Sequence, residues 1–337
     1  PYPTLFNPSL INGYNFLLTM KFPFELRKDK DFDVVGFGTN AVDFLIVVPE
    51  YPRFNSKVEL EHYFQLAGGE IASTLTGLSR LGAKTAYVGR FGDDNAGHFG
   101  IQSLISEGVN IDFAEHVKGA QTQIAFIIID SRSGERTVIW KRDKKLSYLP
   151  EDVPLKIAER CSILHTTPHD TLACITMAKH AKQHGAIVSI DIDKPFEHIE
   201  ELLQLVDVFI CAEEFIEKFL GITDRQIALK EIHMRYGCKV TGMTLGKEGS
   251  LLFCEDTFFR TQGFNVPGGC KDTTGAGDAF RVGFLYGILS GENIETACKM
   301  ANAVAALKCR EIGARTALPT KEELFAFLNK NPKLGAN

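Results

Sequence analysis

Hydrophobic and polar positions along this chain change period repeatedly, and each change predicts an element. Residues 33–38 (Asp-Val-Val-Gly-Phe-Gly) form a short apolar run ending in glycines, the pattern of a buried strand. Phe44–Val48 is a second β-rich run closed by Pro49, and Lys57–Gln65 alternates like a half-exposed strand. Ile71–Leu81 has helical spacing and stops at Gly82. Thr85–Val88 then reads as a strand, and residues 96–107 as a helix closed by Gly108. Gln123–Asp130 and Arg136–Trp140 are β-rich runs joined by Ser131-Arg132-Ser133-Gly134, which predicts a hairpin.

From Cys161 onward strand and helix patterns alternate, with strands at Ser162–His165, Ile187–Ile190, Val208–Ile210 and Val240–Thr244. Such alternation predicts a parallel sheet covered by helices on both faces. A β-pair at 249–261 precedes a Gly-rich segment at 268–277. Helical stretches follow at 278–290 and 293–309, and a last helix starts near Lys321. The expected fold is therefore α/β, with a doubly wound and mostly parallel sheet. Its body takes residues 32–42, 67–121 and 143–330. The β-rich excursions at 43–66 and 122–142 return to that body as a small β lid. Residues 1–19 read as a leader outside the fold, because Met20-Lys21 resembles a natural start.

Composition narrows the function. The 337 residues are 45% hydrophobic and 23% charged, enough for a large core. A net charge of -5 and a pI near 6.0, with no long basic run, argue against nucleic-acid and anionic-membrane partners. No apolar run approaches the roughly 18 residues of a membrane span. The eight cysteines include no C-x-x-C pair, which predicts reduced thiols in a cytoplasmic protein.

Glycine-rich segments carry the candidate chemistry. Gly36-Phe37-Gly38-Thr39-Asn40-Ala41 matches a dinucleotide-binding turn, but a strand-like run follows where that turn requires a helix. Gly77–Thr85 approaches a P-loop, yet Ala83 separates the glycine from the lysine and the order is helix to strand. Asp272-Thr273-Thr274-Gly275-Ala276-Gly277-Asp278-Ala279-Phe280 opens a helix. Its small residues at 275–277 leave backbone N–H groups at a helix N-terminus, where the dipole also favours an anion. Asp278 places a carboxylate beside that anion hole. Phosphoryl transfer to a hydroxyl needs both, one to stabilise charge and one to accept a proton.

That string resembles the C-terminal signature of the ribokinase-like (pfkB-type) carbohydrate kinases. Gly68-Gly69 before a helix, Arg80-Leu81-Gly82 and Gly89-Arg90-Phe91-Gly92-Asp93-Asp94 resemble the N-terminal signature, and Thr244-Leu245-Gly246-Lys247-Glu248-Gly249 the nucleotide segment. The resemblance implies ATP-dependent phosphorylation of a small sugar, with magnesium, and a doubly wound sheet with a β lid. It implies Asp278 as base and Gly275, Ala276 and Gly277 as anion hole. Thr244, Gly246, Gly249 and Asn302 would line the nucleotide site, and Asp43, Gly68, Gly69 and Ser73 the sugar site. Asp272 and Thr274, with Gly313 nearby, would form a potassium site. A nucleoside kinase and a catalytically impaired binding relative are the alternatives.

The chain also departs from the family pattern. Ser73 stands where an Asn is usual, and Asp191-Ile192-Asp193 where many members have D-x-N. The N-x-x-E segment is absent from Cys211–Phe215, as in ketohexokinase-like members, leaving Glu214 as the substitute magnesium ligand. Arg281, one turn after Asp278, could pair with that base, bind an anionic substrate or reach the γ-phosphate. Arg136 and Lys141 could reach substrate from the lid. His165 and His169 have Pro168 between them, which breaks a helical pairing, and His180 and His184 read as a solvated face. The apolar positions Ile124, Phe126 and Ile128 predict a homodimer formed through the lid.

Overall fold

The computed structural model describes residues 20–332, so the leader at 1–19 lies outside the described residues. The strands are β1 (Phe32–Phe37), β2 (Ala41–Val48), β3 (His62–Gly68), β4 (Thr85–Gly92), β5 (Asn110–Val117), β6 (Ile124–Asp130), β7 (Arg136–Lys141), β8 (Cys161–Thr166), β9 (Ile187–Ile192), β10 (Val208–Ala212), β11 (Val240–Thr244), β12 (Ser250–Cys254) and β13 (Thr257–Thr261).

The large sheet runs β13-β12-β11-β10-β9-β8-β1-β4-β5. It is parallel except for β12 and β13, which join antiparallel at one edge. The apolar runs of β8 and β9 are buried throughout, as strands covered on both faces must be. Because β1 lies between β4 and β8, the chain winds outward in both directions from it. In such sheets ligands bind beyond the carboxyl ends of the strands, near this switch point.

Three helices cover the face under the site: Glu70–Arg80, Ala276–Leu289 and Ile294–Lys308. The middle one is buried almost all round, which requires small residues where its neighbours cross. A Cβ on Gly283 would lie 2.5 Å from the Met300 carbonyl oxygen.

The second sheet has the order β3-β2-β6-β7 and is the lid. Leu45, Val47, Ala125, Ile127 and Ile129 form its own small core, with Phe64, Leu66 and Ile312 packed against them. Two elements differ from the sequence pattern. The alternation from Lys57 is strand only from His62, because β3 pairs with β2 from Val47 to Ala41 and the ladder stops there, with the Glu61 N–H still donating to the Val47 carbonyl at 2.8 Å. Strand β5 was not anticipated: it pairs only with β4, is mostly half-buried and mixes polar with apolar residues, so no apolar run marks it.

Candidate active site

A cleft of about 380 Å³ opens between the lid and the carboxyl ends of the large sheet. Thr39 follows β1, Asp193 follows β9, and Ala212 and Thr244 end β10 and β11, so four separate strand ends deliver residues to it. Asp43, Ala125, Ile127, Val138 and Trp140 face it from the lid. Gly275, Gly277 and Asp278 also line it, at the start of the helix Ala276–Leu289. Gly275 caps that helix with φ 74°, a left-handed conformation that costs glycine little. Ala276 departs from its expected role, because its N–H turns back to the Thr273 carbonyl at 3.1 Å.

Asp278 sits among charged neighbours. Burial pushes its carboxyl well above the usual range, and the Glu70 charge pushes it further, while Arg281 opposes both. Asp191, at the end of β9, is hydrogen-bonded to Asp278 and is likewise raised by burial. Glu70 accepts from Thr39 Oγ1 at 2.7 Å and is raised by burial and by Asp191. These carboxyls titrate as a group.

Arg281 is 4% exposed, so it is not a surface residue. Its partner is Asp191 rather than Asp278: Nη2 lies 2.6 Å from Asp191 Oδ1 and donates to the Ile210 carbonyl at 2.8 Å. Nη1 lies against Gly277, 3.0 Å from where a Cβ would stand. The guanidinium therefore offsets the acidic group from beneath the helix start. Its charge favours ionised Asp278, so its loss must raise that pKa. A base works only when deprotonated, and the acid limb of kcat/KM then moves to higher pH. Arg281→Met should show that shift, together with weaker binding of the ATP phosphates. An unmoved limb in a pH–rate profile would remove Arg281 from the electrostatics of the base.

At the lid end, Asp43 lies 4% exposed on β2, opposite Leu66 in the ladder, with its carboxylate against Gly68. A Cβ on Gly68 would fall 1.9 Å from Asp43 Oδ2, so the close approach requires glycine. Gly69, at φ 88°, lies against the Asn40 backbone. Burial pushes the Asp43 carboxyl up to about 7, with Arg315 opposing. Ser73 points elsewhere than expected: its hydroxyl accepts from Arg315 Nε at 3.2 Å, and Arg315 Nη2 donates to the Gly68 carbonyl. Arg315, 6% exposed, carries no sequence motif and was missed.

At the opposite end, Thr244 lines the cleft, and a Cβ on Gly246 would meet open space. Gly249, at φ 99°, would place a Cβ 2.0 Å from the Thr261 carbonyl oxygen and shapes the turn. Asn302 does not face the cleft; its amide donates to Ser250 Oγ and the Cys298 carbonyl, both at 3.1 Å. Glu214 is exposed in the first turn of the helix Glu213–Leu220 and lines none of the cleft, so it is not placed as a magnesium ligand there.

At the expected potassium site the Asp272 carboxylate is already held by protein groups. Asp272 is fully buried; Oδ1 accepts from the Thr274 N–H and Oδ2 from the Gly313 N–H, each at 2.8 Å. The fully buried Lys308 ammonium donates to the Asp272 carbonyl at 2.8 Å and lies 3.8 Å from Oδ2. These residues do not fit a bound potassium ion.

Arg136 lines the cleft and donates to Thr273 Oγ1 at 2.9 Å, whereas Lys141 is exposed outside it. His169 lines the cleft 3.7 Å from Glu70, while His165 is buried below, bonded to Ser189 Oγ and pushed down to about 3 by burial. His180 and His184 gather with Glu159 on the surface. Among the described residues Gln123 Oε1, His169 Nδ1, Thr274 Oγ1 and Arg281 Nε are buried polar atoms without a hydrogen-bond partner, all on cleft residues. Orphaned polar atoms around one cleft are what a polar ligand would satisfy.

A doubly wound sheet, a small mixed-sheet lid and a helix start that carries an acid beside exposed amides together define a small-molecule kinase of the ribokinase-like class. The chain belongs to the pfkB family of carbohydrate kinases, whose model matches residues 31–321. It is 31% identical to the probable fructokinase-6, chloroplastic, of Arabidopsis thaliana, over 88% of this chain and 82% of that protein. It is 25% identical to a nucleoside kinase of Methanothermobacter thermautotrophicus, over 87% of this chain and 94% of that one. Its fold is similar to that of Arabidopsis thaliana ribokinase complexed with ribose and ATP. The TM-score is 0.77 at 24% identity, covering 88% of this chain and 98% of the other.

Proposed function

We propose that this protein transfers the γ-phosphoryl group of ATP to a hydroxyl of a small sugar, with Asp278 as general base. The carrying observation is that Asp278 lies in the cleft with Gly275 and Gly277, at the N-terminus of a long buried helix. In this reading the lid end around Asp43 and Gly68-Gly69 holds the sugar. The open space at Gly246 and Thr244 takes the nucleotide. The hydroxyl oxygen bonds to the γ-phosphorus as the bond from phosphorus to the ADP oxygen breaks. Asp278 takes the hydroxyl proton, and the amides at Gly275 and Gly277, with Arg281 behind them, stabilise the transferred phosphoryl.

Magnesium suits hard oxygen donors, and the carboxylates of Asp193 and Glu70 line the cleft. There it would neutralise phosphate charge. The free cysteines, seven of them buried, fit a reducing compartment, and we assign the protein to the cytoplasm. Among the described residues no helix is long and apolar enough to cross a membrane.

A panel of hexoses, pentoses, keto-acid sugars and nucleosides, scored by ADP release, tests the reading. One strongly preferred sugar supports it, and ADP release unaffected by any acceptor would overturn it. A nucleoside acceptor is the second reading, favoured by Trp140 and His169, whose ring centroids lie 6.1 Å apart on the cleft wall and offer aromatic surface to a base.

The outer face of the lid supports a homodimer. Its rows Gln65-Phe44-Phe126-Ile139 and Tyr63-Ile46-Ile128-Thr137 carry no charge, so a second copy can cover them without burying an unpaired ion. Phe126→Glu should convert a dimer to a monomer in light scattering. An unaltered dimer would place the interface elsewhere.

A further inference from the structure

We propose that the Lys308 ammonium is a tethered monovalent cation, which stands in for potassium beside the anion hole and lets this kinase work without that ion.

The placement rests on geometry. Lys308 ends the helix Ile294–Lys308, and its side chain turns inward to the loop that precedes Gly275. Both Lys308 and Asp272 are fully buried. A neutral amine here would leave the Asp272 carboxylate in the interior without a counter-charge, an arrangement proteins avoid. The ammonium also sits at a helix C-terminus, where the dipole favours a cation. Its contacts are a carbonyl oxygen and a carboxylate oxygen of one residue, donors of the type a potassium ion would use. An ion bound against the same carboxylate would meet a fixed positive charge.

The ammonium acts through Asp272. That carboxylate accepts from the Thr274 and Gly313 amides, so it ties the loop at 272–275 to the loop at 313–314. Gly275 in turn lies against Ala314, with a would-be Cβ 2.8 Å from Ala314 Cβ. Charge at Lys308 therefore sets the shape of the turn that presents the Gly275 and Gly277 amides. Lys308 is a positioning residue, and it is absent from the cleft lining.

The kinetic part of the test rests on the proposed kinase activity, whereas the thermal part needs no substrate. Thermal unfolding of the wild-type protein is followed in potassium, sodium and tetramethylammonium chloride at equal ionic strength. The expected Tm is the same in all three, and turnover of the best acceptor differs by less than about twofold. Lys308→Ala opens room for an ion. Its Tm should fall, then rise by about 5 °C in potassium or ammonium but not in tetramethylammonium. Its turnover should fall by about tenfold or more and recover in the same salts.

A potassium-specific gain in wild-type Tm or turnover would overturn the proposal. So would a folded Lys308→Ala variant that responds equally to every cation. If that variant does not fold, the wild-type salt series decides alone. Should no acceptor be phosphorylated, the kinase reading fails while the Tm comparison still decides the cation question.

Discussion

Asp278→Asn should lower kcat by about 10²–10⁴-fold, the usual loss when a general base is removed. The fold should survive, because asparagine matches the carboxyl in shape and Asp191 can still hydrogen-bond to it. ATP affinity should hold or improve, since one negative charge near the phosphates is gone. The wild-type profile should carry the signature of the same group. Burial and Glu70 raise the Asp278 pKa, so protonation begins at higher pH than for an exposed carboxyl. The acid limb of kcat/KM should therefore inflect well above the ordinary aspartate value of about 4. In Asp278→Asn that limb should disappear from the residual rate. Near-normal kcat in the variant would remove Asp278 from proton transfer.

Asp43→Ala should lower kcat/KM for the sugar by about 10²-fold or more, because a buried carboxylate loses its hydrogen bonds to substrate hydroxyls. The change should leave ATP affinity within about threefold, since Asp43 reaches the cleft from the lid strand β2 whereas Thr244 reaches it from the end of β11 in the large sheet. Removing this acid also deprives buried Arg315 of an opposing charge, so Tm should fall. Asp43→Asn separates the effects: it keeps the fit against Gly68 and should restore part of the stability but little of the sugar affinity. Collapse of ATP affinity with sugar affinity intact would reverse the two subsites.

The parts of this site that were legible in the sequence are those in which one short segment builds the chemistry. DTTGAGDAF places amides and an acid together through local helix geometry alone, and the structure brings Gly275, Gly277 and Asp278 to one cleft while the tight turn consumes the Ala276 N–H. The alternation of strand and helix likewise exposed the doubly wound sheet, because burial on both faces demands continuous apolar runs. What stayed hidden depends on contacts between distant segments. Arg315 serves Gly68 and Ser73 across more than two hundred residues of chain, and no local pattern announces it.

Arg281 shows the same limit. Helical spacing correctly put it near Asp278, but only the fold reveals that Asp191 takes the ion pair. Lys308 resembles an ordinary basic residue in the last turn of a helix until the structure buries it on Asp272. Glu214 and Asn302 failed as predicted ligands for a related reason. The first side chain stays in solvent, and the second is consumed by hydrogen bonds to its own helix and to Ser250.

The central claim, direct phosphoryl transfer from ATP to a sugar hydroxyl, is tested most directly by ³¹P NMR. The wild-type protein would be observed turning over ATP with magnesium and the best acceptor from the panel. The account predicts one new phosphate monoester of the acceptor for each ADP formed, and almost none with Asp278→Asn. Inorganic phosphate in place of the ester, or an ester formed equally fast by the variant, would contradict it.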